Sequence, residues 1–264
     1  MDSQNLKVSL IQSDILWEKT TQNLEHLSEK IKNIRNSDLI LLPEMFSTGF
    51  SMNVSELAED WNGITFNWMK EIARKSSSVI MGSIIFKENN NYFNRLIAVF
   101  PDLSYSYCDK RHLFKLGEEH KFYKPGNLSK SVTINGWKIR MLICYDLRFP
   151  VWSRNTDDYD LVVYLANWPA SRIYAWKSLL KARAIENQAY VIGVNRTGND
   201  GNSIRYSGES LIVDPIGKLL NKPLKNSETI IEAELKLNSL KRLRKKFPVL
   251  SDREDFMING IGLQ

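Results

Sequence analysis

The sequence predicts an α/β protein with a mixed sheet or a pair of sheets, and three observations carry that reading. Apolar residues switch repeatedly between a spacing of two and a helical spacing near 3.6. Strand-like and helix-like stretches alternate through the first half of the chain and again between residues 150 and 195, as they do where parallel strands are joined by crossover helices. Asn-rich or Asn-Gly turn signals separate other strands as hairpins.

Leu6, Val8 and Leu10 alternate with Lys7 and Ser9, giving a first strand. Leu24, Leu27, Ile31 and Ile34 mark one face of a helix. The run Asp38-Leu39-Ile40-Leu41-Leu42 is closed by Pro43, so it reads as a buried strand ending at Glu44. A second helix fits residues 62–76, with Phe66, Met69, Ile72 and Ala73 on one side. Strands follow at 79–86 and 92–100, joined by the turn Asn89-Asn90-Asn91. A short extended piece at 104–110 arrives at Lys110, and a polar loop spans 115–127. Asn135-Gly136 splits strands at 131–134 and 137–143. Residues 161–166 form a buried strand ending at Asn167-Trp168-Pro169, and a long helix covers about 174–189. Strands at 190–195, 206–213 and 229–235 complete the pattern before a polar tail.

No linker or shift in composition divides the 264 residues, so one domain is expected over 1–264, with a short tail at about 236–264. The content of 43% hydrophobic and 25% charged residues excludes disordered and fibrous classes. The net charge of +6 invites a nucleic-acid reading, but much of the excess sits in one run, Lys241-Arg242-Leu243-Arg244-Lys245-Lys246. A basic run on a terminal helix is ordinarily a solvated face. No apolar stretch approaches a membrane span. Two cysteines, Cys108 and Cys144, make no disulfide framework, and residues 1–5 lack a signal-peptide pattern, so a cytoplasmic setting is expected.

Glu44, Lys110 and Cys144 each follow a run expected to be buried, and strand ends are where such folds present reactive groups. A carboxylate, an ammonium and a thiol in one pocket suffice for acyl transfer. A free thiol has a pKa near about 8.5 and needs a base, which a glutamate supplies. Attack on a carbonyl makes an oxyanion, and losing one donor to such an oxyanion costs about 10²–10³ in rate. Singly, Glu44 could cap a turn, Lys110 could be a surface charge and Cys144 a small buried hydrophobe. His112 and His120 flank a loop and could instead pair with a thiol, while His26 lies on the polar face of a helix. Spacing for metal ligands and a phosphate-cradling glycine loop are both absent, so no metal and no cofactor are expected.

Three blocks, Leu41-Leu42-Pro43-Glu44-Met45-Phe46, Asp109-Lys110-Arg111-His112-Leu113-Phe114 and Ile143-Cys144-Tyr145-Asp146-Leu147-Arg148-Phe149-Pro150, resemble in order the signatures of the nitrilase superfamily, the carbon–nitrogen hydrolases. The resemblance implies a four-layer α-β-β-α sandwich, with Glu44 as general base, Lys110 as oxyanion stabiliser and Cys144 as nucleophile. It implies a second glutamate at Glu119, or at the adjacent Glu118, and commonly a homodimer. Cys144-Tyr145-Asp146 suits the amidase and carbamoyl-hydrolase branches. Asn167-Trp168-Pro169, the stretch 181–188 and Asn195-Arg196-Thr197-Gly198 look most like bacterial ω-amidases. The implied partner is a small-molecule amide bearing a carboxylate, such as 2-oxoglutaramate or 2-oxosuccinamate.

Arg148 could reach that carboxylate, or could pair with Asp146 or Glu186. Trp168 and Phe46 could wall a small pocket or belong to the core, and the Tyr145 N–H could join Lys110 at the oxyanion. The rivals are an N-carbamoyl amide hydrolase or another aliphatic amidase on the same three residues, a Cys-His hydrolase, and a non-catalytic protein holding nucleic acid on residues 241–246.

Overall fold

The computed structural model describes residues 5–256 and Ile258. The leading residues 1–4 and the last part of the expected tail, 257 and 259–264, lie outside the described residues. Strands β1 (Asn5–Gln12), β2 (Leu39–Leu41), β3 (Val79–Glu88), β4 (Asn91–Val99) and β5 (Tyr105–Asp109) come from the first half. They form a six-stranded sheet that β13 (Thr229–Lys236) completes, in the order β13-β1-β2-β3-β4-β5. Strands β6 (Lys130–Ile134), β7 (Trp137–Ile143), β8 (Leu161–Ala166), β9 (Tyr190–Asn195) and β12 (Leu211–Val213) form a second sheet in the order β12-β9-β8-β7-β6. Strands β10 (Thr197–Asn199) and β11 (Arg205–Ser207) make a small separate hairpin.

The inner faces of the two sheets share one apolar cluster. Val8, Leu10, Leu41, Met81 and Leu96 come from the first sheet, and Ile139, Met141, Val163, Leu165 and Ile192 from the second. Alternation along each strand sends the other face outward to helices. On the first sheet, Ile40, Ile80, Ile84 and Ile97 meet Leu24, Leu27 and Ile31 of α1 (Thr20–Ile31). They also meet Phe66, Met69 and Ala73 of the helix Ile64–Ser76. The Trp68 Nε1–H donates to Ser28 Oγ at 2.8 Å and ties those two helices together. On the second sheet, Trp176, Leu180 and Ala184 of the helix Ile173–Asn187 cover the outer face. The layers are therefore helix, sheet, sheet, helix, as the resemblance implies.

Central parallel pairs put strand ends on a common edge. In the first sheet β2 lies parallel between β1 and β3, and in the second β8 lies parallel between β7 and β9. Fully apolar runs suit strands buried on both faces.

Three local readings are corrected. The strand expected over 206–213 is broken at Gly208 (φ +73°) and Glu209 (φ +58°), so its halves join different sheets. A side chain at Gly208 would run into Gln12, and the Glu209 carboxylate is buried against Lys177 and Ser207. The polar loop 115–127 contains a turn at Lys115–Gly117 and a short helix, Glu119–Phe122. Its Glu119 carboxylate accepts the Phe114 N–H at 2.6 Å, which closes the turn. The tail begins with a helix, Leu237–Lys246, that buries Leu237 and Leu240. Arg244 of the basic run points into the protein and donates to Gln188 O, Asp160 Oδ1 and Tyr159 O at 2.9, 3.1 and 2.6 Å.

Gly193 on β9 is where the covering helix comes closest. A Cβ there would lie 2.5 Å from Leu180 and 2.6 Å from Trp176. Overpacking of this kind costs about 1–3 kcal/mol. Gly193→Val is expected to lower the unfolding free energy by that amount, read as a lower denaturant midpoint at unchanged slope; an unaltered midpoint would show that the helix can move away.

Candidate active site

The chain after β2 turns sharply. Glu44 is followed by Met45 in a left-handed conformation (φ +44°), and the Met45 N–H donates to Ser83 Oγ at 2.9 Å on β3. This staple aims the Glu44 carboxylate inward, where it is wholly buried. Lys110 lies just past β5, opposite Asn94 on β4, and its N–H donates to Asn94 O at 2.9 Å. The continuation of that ladder places the Asn94 amide and the Lys110 ammonium side by side. Cys144 ends β7 and opens a 3-10 turn, Cys144–Arg148, with its own φ at +40°. A non-glycine residue held there stores strain of order 1–3 kcal/mol. The cost is sustained by Asp146, whose carboxylate accepts from Ile143 N at 3.2 Å and from His112 N at 2.9 Å. Asp146 thereby joins the cysteine turn to the lysine segment.

These elements bring the side chains to one place. Lys110 Nζ donates to Glu44 Oε1 at 2.9 Å and to Glu119 Oε1 at 3.0 Å. Asn94 Nδ2 donates to the same two carboxylates at 2.7 and 3.3 Å. The second Glu44 oxygen accepts the Asn167 N–H at 2.8 Å, and Asn167 Nδ2 donates to Glu44 O at 2.7 Å. Asn167 leaves β8, so this bond spans the two sheets. The Cys144 thiol shares the cavity lining with Glu44 and lies 3.9 Å from Asn167 O. Asn195, at the end of β9, holds the Asn167-Trp168 turn by accepting from Trp168 N at 2.8 Å and donating to Trp168 O at 3.0 Å.

The charges explain one another. Burial pulls the pKa of the Lys110 ammonium down, but Glu119 and Glu44 beside it outweigh burial and raise it above the ordinary lysine value. Burial raises the Glu119 carboxyl, with Lys110 opposing. Burial also pushes the Cys144 thiol well up; the Glu44 charge adds to this and Lys110 opposes it. At neutral pH the resting sulfur is therefore a protonated thiol, and proton removal must accompany attack.

A cavity of about 120 Å³ opens above this floor. Glu44, Lys110, Cys144 and Asn167 line it, with Tyr145, Arg148 and Trp168 on one wall. Phe50, Phe114, Arg172 and residues of the β10–β11 hairpin complete the enclosure. Glu119 sits behind Lys110, whereas Glu118 is exposed and pairs with Lys121, so Glu119 is the second glutamate of the cluster. Arg148 pairs with neither Asp146 nor Glu186: its guanidinium lies 4.9 Å from the Trp168 ring, and Glu186 is held by Arg183. Phe46 does not line the cavity. It belongs to the outer core, with Trp68 at 5.7 Å, because the residue after Met45 faces the helix layer.

The histidines are also elsewhere. The His112 ring bonds Asp146 at 2.8 Å and stacks on Phe149 at 3.6 Å, so it holds the scaffold and does not border the cavity. His26 bonds Glu228, and His120 is exposed. Cys108 is buried between the sheets with its thiol against Met141 O at 3.4 Å, and neither cysteine is in a disulfide. Sequence reasoning missed Asn94, Asp146 and Arg172 as site residues. An asparagine inside a strand is poorly suited to a sheet, and that was the available signal for Asn94.

The carbon-nitrogen hydrolase family model matches residues 7–245. The chain belongs to the carbon–nitrogen hydrolases. It is therefore an enzyme of the nitrilase superfamily that cleaves C–N bonds. Omega-amidase YafV of Escherichia coli K12 is 44% identical over 255 residues, 96% of this chain and 98% of that protein. The 2-oxoglutaramate amidase of Bacillus subtilis 168 is 34% identical over 251 residues, covering 93% and 96%. The crystal structure of XC1258 from Xanthomonas campestris, a CN-hydrolase superfamily protein with an arsenic adduct in its active site, superimposes with a TM-score of 0.94. It is 37% identical, covering 97% of this chain and 99% of its own.

The raised thiol pKa has a measurable consequence. Alkylation by iodoacetamide requires thiolate, so its rate at Cys144 is expected to keep rising with pH beyond about 8.5, the ordinary thiol value. A rate that levels off there, followed by peptide mass spectrometry, would contradict the burial argument.

Proposed function

We propose that this carbon–nitrogen hydrolase is an amidase of the ω-amidase type, converting a small carboxylate-bearing amide such as 2-oxoglutaramate or 2-oxosuccinamate to the acid and ammonia. The observation that carries the proposal is the buried contact of Glu44 with Lys110 at 2.9 Å, beside the Cys144 thiol at the floor of a small cavity. Relatives named for ω-amidase and 2-oxoglutaramate amidase activity support the choice of substrate.

The steps follow from the geometry. Glu44 takes the Cys144 proton as sulfur attacks the amide carbon, and an S–C bond forms. The oxyanion is held by the Lys110 ammonium and the Tyr145 backbone N–H. Glu44 returns the proton to nitrogen, the C–N bond breaks and ammonia leaves a thioester. Water, deprotonated by Glu44, attacks that thioester; the S–C bond breaks and the thiol regains its proton. Glu119 and Asn94 hold Lys110 and Glu44 in register and do not exchange protons with substrate. The free thiols of Cys108 and Cys144 suit a reducing, cytoplasmic setting, and assembly as a homodimer belongs to the same reading.

The test is ammonia release across a panel of amides, coupled to intact-mass measurement. Wild type given a slow substrate is expected to gain one acyl group on Cys144, and Cys144→Ala none. Lys110→Met is expected to lose at least about 10²-fold in kcat. An acyl group found on Cys108 would overturn the assignment.

A further inference from the structure

Arginines in this protein follow a simple rule with two exceptions. Among the described residues, each buried or half-buried arginine other than Arg148 and Arg172 donates to a protein oxygen. Arg95 binds Glu88 and Asp109, Arg140 binds Asp157, Arg183 binds Glu186, and Arg196 binds Asp14. Arg244 and Arg253 bind Asp160 and Asp158, and Arg111 and Arg154 donate to the carbonyls of Gly126 and Glu186. Arg148 and Arg172 are half-buried, both line the catalytic cavity, and both lie over an aromatic ring. The Arg148 guanidinium is 4.9 Å from the Trp168 ring centre and that of Arg172 is 5.3 Å from the Phe114 ring centre.

We infer that Arg148 and Arg172 form a two-armed clamp for the carboxylate of the substrate, with Arg172 as a specificity-determining residue. The inference rests on the amidase reading given above and adds the groups that select the acid. A ring satisfies the face of a guanidinium but leaves its edge, with the N–H donors, unfilled. A carboxylate is the planar acceptor that fits such an edge bidentately.

The rest of the cavity favours the same ligand. Lys110 is already matched by Glu44 and Glu119. The Asp200 carboxylate, also in the lining, is occupied by the Tyr206 hydroxyl at 2.8 Å and by the N–H groups of Asn202 and Ile204, both at 2.9 Å. The charged donors left unfilled in the cavity are therefore those of the two guanidiniums. The arms also share a mount: Trp168 Nε1 donates to the Arg172 carbonyl at 2.8 Å, so the ring beneath one arm is fixed to the backbone of the other. That rigidity lowers the ordering cost of gripping a small anion.

The test compares 2-oxoglutaramate with the neutral amide butyramide, reading the ratio of their kcat/KM values in wild type, Arg148→Gln, Arg172→Gln and Arg172→Lys. The ratio is expected to fall at least about tenfold in either glutamine variant, as loss of a charged hydrogen bond implies. Arg172→Lys should restore only part of it, since a point charge cannot bind bidentately. Calorimetric titration of wild type and the two glutamine variants with glutarate gives a second readout, and its affinity should fall in parallel. Ratios and glutarate affinities within twofold of wild type in both glutamine variants would overturn the clamp. If wild type releases ammonia from neither amide, the amidase reading fails, and the glutarate titration still decides the clamp.

Discussion

The structure turns on one ammonium held between two carboxylates in a dry interior. Lys110, Glu44 and Glu119 are essentially inaccessible to water. Removing such ions from water costs several kcal/mol each, and their attraction repays it only when geometry is good and the remaining lone pairs are satisfied. Here the Asn94 amide bridges both acids and the Asn167 backbone N–H takes the outer Glu44 oxygen. The partners come from β4, from the segments after β2, β5 and β8, and from the turn at Glu119. The strand order within each sheet and the facing of the two sheets are therefore conditions of the chemistry, because a one-residue slip on β4 would turn Asn94 away.

Burial of the sulfur belongs to the same arrangement. A thiol kept protonated by a neighbouring carboxylate is a poor target for oxidants, which react with thiolate. In the mechanism proposed above, it becomes a nucleophile only when an electrophile enters and Glu44 accepts its proton. The left-handed turn at Cys144 and the Asp146 bridge to His112 hold the sulfur where this can happen. His112, a natural suspect as a base, instead spends its ring on Asp146 and Phe149.

Much of this was legible in the sequence, for identifiable reasons. The strands before Glu44 and Asn167 are apolar runs and the strand before Cys144 closes on Met141-Leu142-Ile143, so the pattern located both the strands and the groups at their ends. The ordered blocks around Glu44, Lys110 and Cys144 announced the fold and the family. What escaped depends on contacts distant in the chain. Asn94 matters only because β5 places Lys110 beside it. Phe46 looked like a pocket wall because it neighbours Glu44, but the turn at Met45 sends it into the helix layer. The break at Gly208 and Glu209 was hidden because Tyr206 on one side and Leu211-Ile212-Val213 on the other both suit a strand. Arg172 shows no local signal; like Arg148, it is distinguished by a ring beneath it in place of the acceptor that the other sheltered arginines have.

The pairing of β1 with β13 sets a schedule for the growing chain. Asn5 lies opposite Lys236 and Gln12 opposite Thr229, so β1 waits for a strand far along the chain. Synthesis at about 5–20 residues per second leaves β1 with one side unsatisfied for on the order of ten seconds or longer. During that interval it is a bare sheet margin, open to pairing with a neighbouring nascent chain. The chain thus carries, while it is being made, an exposed strand edge that the finished molecule no longer displays.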